Sequence, residues 1–160
     1  LSGVCMQASA DLAVGGDETN VDRMVPSAAM WTVLNEEPFQ TMANDTHCIA
    51  TGSADALNPD MGDDNRYRFV LSVDNAQPAV DGACERTVEF DMHGTDAQHI
   101  EEVSSTCTFR HLGAGNHTIY WLARKVGAGT PNLTVPDNSM TFVCMNNLLD
   151  NDGEADGGGD

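Results

Sequence analysis

Closely spaced carboxylates carry the most specific chemistry in this 160-residue chain. Its last segment, DNDGEADGGGD, sets Asp150, Asp152, Glu154, Asp156 and Asp160 among glycines, an alanine and an asparagine. Glycine lets the backbone turn tightly, and Ca²⁺ takes about six to eight hard oxygen ligands, so Asp150, Asp152, Glu154 and Asp156 are candidate calcium ligands. A second acidic set, Asp60, Asp63 and Asp64, stands with Asp55, Asn58 and Asn65 in a stretch between two predicted strands. Its oxygens could converge on a cation in the same way. The competing readings are a solvated acidic tail and an ordinary polar loop, because Asp, Asn and Gly are also good turn formers.

The histidines are His47, His93, His99, His111 and His117. None belongs to an H-E-x-x-H motif, and neither G-x-S-x-G nor a phosphate-binding loop is present, so surface and turn roles are expected for them and no catalysis is predicted. Five cysteines, at 5, 48, 84, 107 and 144, include no C-x-x-C pair, which argues against a zinc knuckle or a thioredoxin-type site. Their wide spacing suits two long-range disulfides in an oxidising compartment, outside the cytoplasm. Cys84 and Cys107 flank successive predicted strands. Cys48 and Cys144 lie in the first and last strong strands, which are often neighbours in a Greek key. That pairing leaves Cys5 over; other pairings stay open.

Charge narrows the partners. With 25 acidic against 7 basic side chains the net charge is −18. Such a surface repels nucleic-acid phosphates and anionic membranes. No apolar run approaches the roughly 20 residues of a membrane-spanning helix. Leu1 in place of Met is read as the start of a processed, secreted chain. Sequons at Asn44, Asn116 and Asn132 could accept glycans in a secreted protein.

The elements that must hold these groups read as strands. Tyr67, Phe69, Leu71 and Val73 alternate with more polar neighbours over residues 66–74. Similar period-2 patterns run through 85–91 (Val88, Phe90), 103–111 (Val103, Cys107, Phe109), 117–126 (Ile119, Trp121, Ala123) and 139–145 (Met140, Phe142, Cys144). Residues 29–35 and 46–53 are further strand candidates, and Ala28 to Glu37 is also the best helix candidate. Turn signals such as Asp74-Asn75, Asp81-Gly82 and Gly113 to Gly115 separate the runs. The expected organisation is an extended N-terminal arm over 1–25, a β-sandwich over 26–145 and an acidic Asp/Gly tail over 146–160. The expected class is all-β, an antiparallel jelly-roll or Greek-key sandwich.

The stretch LGAGNHTIYWLARKVGAGTPNLTVPDNSMTFVC, residues 112–144, resembles the closing part of C1q/TNF-like jelly-roll domains of secreted bacterial and phage-fibre surface proteins. Gly115, His117, Thr118, Ile119, Trp121 and the terminal Met140–Val143 fill its turn, its amphipathic strand and its final strand. The upstream RYRFVLSVDN looks like the strand and Asp turn that precede them. The resemblance implies a jelly roll with structural or binding work, commonly in oligomers, and brings no catalytic residues. The tail is similar to the start of thrombospondin type 3 calcium repeats.

The function expected from these readings is that of an extracellular or cell-surface structural protein. It would self-assemble as a filament, pilus-like or surface-layer subunit. The arm, where Val4, Met6, Ala8, Ala10, Leu12 and Val14 share one parity, would add a strand to a neighbouring copy, with Ca²⁺ as a candidate bridge. The alternative is a secreted, Ca²⁺-dependent carbohydrate- or ligand-binding module, with Trp31, Trp121, Tyr67 and Tyr120 as a sugar-stacking platform.

Overall fold

The computed structural model describes residues 12–26, 28–58, 65–90, 99–127 and 130–146. The candidate calcium ligands Asp60, Asp63, Asp64, Asp150, Asp152, Glu154 and Asp156 lie outside the described residues, as does Cys5.

Alternating apolar side chains do what period 2 dictates. The strands are β1 (Leu12–Thr19), β2 (Arg23–Val25), β3 (Thr32–Thr41), β4 (Thr46–Asn58), β5 (Asn65–Val73), β6 (Glu85–Phe90), β7 (His99–Leu112), β8 (Gly115–Lys125), β9 (Leu133–Val135) and β10 (Asn138–Asn146). The described residues contain no helix, and none that is long and apolar enough to cross a membrane.

Two antiparallel sheets form a sandwich. In the first, β1, β10, β4 and β7 lie side by side, and the short β9–β2 pair joins β4 near its end through Leu57 and Thr134. In the second the order is β3-β8-β5-β6. Tyr67, Phe69 and Leu71 of β5 and Ile119, Trp121 and Ala123 of β8 face Cys48, Ala50, Ala54, Val103, Cys107, Met140, Phe142 and Cys144 of the first sheet in one buried core. β5, β8 and β10 thus bury the alternate residues that their sequences mark as apolar.

Two expectations change. Residues 28–37 are not helical, because Thr32–Thr41 pairs with β8 along its length. Pro38 fits there because β3 is the outermost strand of its sheet, where a missing N–H costs no ladder bond. Of the segment 1–25, Leu12–Thr19 pairs with β10 of the same chain, and Arg23–Val25 pairs with β9. The open side of β1 lies against β3, where the Asn35 side-chain amide donates to the Asp17 carbonyl at 3.2 Å. Burial, reinforced by the charge of Asp17, holds the Glu37 carboxyl above its ordinary pKa at this seam.

Cys48 bonds Cys144 and Cys84 bonds Cys107. Cys48 and Cys144 stand opposite each other in the β4–β10 ladder, so their side chains share the inner face. Cys84, just before β6, reaches Cys107 of β7 and staples one sheet to the other. Disulfides persist in oxidising surroundings, and two of them fit an extracellular or otherwise oxidising environment.

The outside of the second sheet has its own small core. Trp31 covers Val70 and Leu122. Its indole N–H donates to the Pro78 carbonyl at 2.8 Å. Its backbone N–H donates to Gln77 Oε1, and its carbonyl accepts from Gln77 Nε2. The Arg124 guanidinium lies 5.3 Å from the ring centre, within cation–π range.

Candidate functional site: the outer face of the first sheet

Trp31 shields Val70 and Leu122 on the outside of the second sheet, and on the outer face of the first sheet the ladder registers place side chains in rows. Leu12 stands opposite Met145, Val14 opposite Val143, and Val143 opposite Ile49. These five aliphatic side chains therefore form one contiguous patch across β1, β10 and β4. Ile49, Val143 and Met145 are among the exposed large hydrophobic residues, at 47%, 40% and 50%. Alternation puts Ala13, Cys144 and Cys48 underneath, so the patch is not core turned outward by a register slip.

The next rows are hydroxylic. Gly16, Thr141, Thr51 and Thr106 lie abreast, followed by Glu18, Ser139, Ser53 and Ser104. Thr51 and Thr106 share a hydrogen bond of 3.0 Å, and Ser53 and Ser139 one of 2.8 Å. Beyond them the surface is acidic. A cavity of about 160 Å³ is lined by Glu18, Asp55, Glu102 and Asp137 together with Ser53, Ala54, Asn138 and Ser139. The face thus runs from aliphatic through hydroxylic to anionic rows, and beyond these Leu57 stands opposite the exposed Ile100. The anionic end attracts cations; the aliphatic end favours contact with another apolar surface.

Asp55 is the member of the second acidic stretch that joins this cavity; Asn65 is buried at the start of β5. The sugar-stacking platform is not formed. Trp31, Trp121 and Tyr67 are 5%, 0% and 0% exposed, and the Tyr67 hydroxyl donates to the Pro131 carbonyl at 3.0 Å. Of the sequons, Asn116 and Asn132 are exposed, and Asn132 accepts a hydrogen bond from Lys125 Nζ at 3.2 Å.

The aliphatic patch escapes sequence reading because its members come from three distant segments. Only the β1–β10–β4 register makes them neighbours. A cluster of Asp45, His47 and His111 at the margin of the patch was equally hidden, since Asp45 and His111 are 66 residues apart.

No known protein-family model and no curated protein matches this chain.

Proposed function

We propose that the chain is an extracellular structural protein that self-assembles, as a filament, pilus-like or surface-layer subunit. The observation that carries this reading is the aliphatic patch of Leu12, Val14, Ile49, Val143 and Met145, flanked on the same face by hydroxylic and then anionic rows. A second copy is the occupant that fits it. The patch begins on β1, and the residues before Leu12 continue its alternation through Ala10, Ala8, Met6 and Val4. A neighbour's arm laid along this face or exchanged into the β1 position would reuse the β1–β10 register, a low-cost route from monomer to polymer. A head-to-tail exchange of this kind builds fibres wherever the rotation between copies does not close into a ring.

The strand orders β1-β10-β4-β7 and β3-β8-β5-β6, with the first strand beside the last, support a jelly roll of the C1q/TNF-like kind. Two disulfides support secretion. Calcium enters as the ion that would offset repulsion between copies carrying −18 each, through the acidic end of the sheet or the carboxylates of the tail. With its aromatic platform buried, the carbohydrate-binding alternative has less to stand on.

Sedimentation velocity on the full chain tests the reading. The parent is expected to sediment as concentration-dependent assemblies, and Ile49→Asp or Val143→Asp as monomer. A monomeric parent at every concentration would overturn it.

A further inference from the structure

We propose that Asp45, His47 and His111 form a binding site for a first-row divalent metal ion of the Zn²⁺ kind. This proposal does not rest on the assembly reading. The three residues offer ligand atoms that all lie within 4.8 Å of one another. Asp45 sits in the turn before β4, His47 on β4, and His111 near the end of β7. His111 Nδ1 is 2.7 Å from Asp45 Oδ1, and His47 Nε2 is 3.4 Å from the same oxygen.

Three features of the backbone and side chains converge on these residues. First, His47 Nε2 is shielded from solvent and makes no hydrogen bond. A shielded ring nitrogen that makes no hydrogen bond is costly, and a metal ion held between it and the nearby Asp45 carboxylate would satisfy it. Second, the β4–β7 ladder shifts register here. Thr46 pairs with Leu112 while Cys48 pairs with Phe109, so Arg110 and His111 stand opposite the single residue His47. Such a bulge re-aims a side chain, and it brings the two imidazoles to 5.1 Å in an edge-on arrangement. Third, His111 has φ of 59°, a left-handed backbone uncommon outside glycine. Backbone strain of this kind persists where its surroundings enforce it and often marks a working site.

The donor set decides the class of metal. Two imidazoles and one carboxylate suit zinc and its first-row neighbours, whereas calcium prefers oxygen alone. In a tetrahedral zinc site with bonds of about 2.0 Å, ligand atoms stand about 3.3 Å apart. The His47–Asp45 distance of 3.4 Å meets that spacing. The His111–Asp45 distance of 2.7 Å must open by a few tenths of an ångström, and His111, 73% exposed, is free to move that far. Three protein ligands leave a fourth position open, here toward solvent or toward a copy docked on the adjoining Met145.

The test titrates Zn²⁺ and Co²⁺ into the full chain, with excess Ca²⁺ present to occupy sites made of carboxylates alone. The parent should bind one Co²⁺ with the visible spectrum of a tetrahedral ion. Zn²⁺ should shift the ring NMR signals of His47 and His111 and leave those of His117 in place. His111→Asn, which keeps a residue tolerant of the left-handed backbone, and His47→Gln should each weaken binding at least about tenfold. Circular dichroism of each variant checks that the fold is intact. Zn²⁺ binding that is unchanged in both variants, or Zn²⁺ that leaves the His47 and His111 signals unmoved, would overturn the assignment.

Discussion

His117 and Asp74 are joined by a 2.6 Å contact between Nδ1 and Oδ2, and the other ring nitrogen of His117 lies 2.9 Å from the Gly113 carbonyl. Both partners are acceptors, so the ring satisfies both only as a doubly protonated imidazolium. The Asp74 carboxylate also accepts the Thr118 N–H at 2.8 Å and stands on a left-handed residue with φ of 55°. The pair therefore ties the turn after β5 to the start of β8.

A pH dependence follows. Burial by itself lowers the pKa of His117, but the hydrogen bonds it donates to Asp74 and Gly113 and the charge of Asp74 outweigh it, and the net shift is upward from 6.5. A group whose folded pKa is raised stabilises the fold fully below its unfolded value, and that stabilisation is lost as pH rises through the folded value. Thermal melts from about pH 5 to 9 should show the parent losing stability above the ordinary histidine range. His117→Gln should lack that component, and an identical pH slope in the variant would contradict the account.

Gly52 is required by Trp121. A Cβ at position 52 would lie 2.6 Å from the indole carbon Cδ2, inside any real contact distance. Both residues face the core, where Trp121 is fully buried. Gly52→Ala should destabilise by about 1–3 kcal/mol, the usual cost of overpacking. Chemical denaturation measures it, and no change in midpoint would show that the indole has room to move.

The strands that proved legible in sequence are those with one buried and one polar face, such as Tyr67-Phe69-Leu71 and Met140-Phe142-Cys144. Their alternation states the register directly. β1 was hidden because Leu12 and Val14 on its outer face are as apolar as Ala13 beneath them, and Gly15 and Gly16 read as breakers. β2 and β9, three residues each, are too short to show a period. β3 was obscured by Asn35, Glu36, Glu37 and Pro38, which an outermost strand tolerates. The disulfide pairs could be anticipated because Cys48, Cys107 and Cys144 sit on inward parities of recognisable strands and Cys84 immediately precedes one. The aliphatic patch and the histidine cluster were not, since both arise from pairing between segments far apart in the chain.

The disulfides close spans of 96 and 23 residues. By loop-closure entropy each stabilises the fold by about 3–5 kcal/mol. Replacing Cys84 and Cys107 together by Ala should lower the denaturation midpoint accordingly, with the larger loss for the Cys48 and Cys144 pair. Equal stability of the parent under oxidising and reducing conditions would refute this contribution.

Salt should promote association. Each copy carries −18, and screening length falls from about 10 Å at 0.1 M to about 3 Å at 1 M ionic strength. Contact through an aliphatic patch then strengthens as repulsion fades, whereas contact held by ion pairs would weaken. Light scattering across that range distinguishes the two, and adding a calcium chelator at low salt should shift the parent toward smaller species.

Copies of this chain are proposed to assemble through the outer face of the first sheet. Negative-stain electron microscopy of the full chain beside the Ile49→Asp, Val143→Asp double variant tests it most directly. Filaments or regular arrays of the parent, with single particles for the variant, are the predicted result. Single particles of the parent under all salt and calcium conditions, or arrays that persist unchanged in the variant, would contradict it.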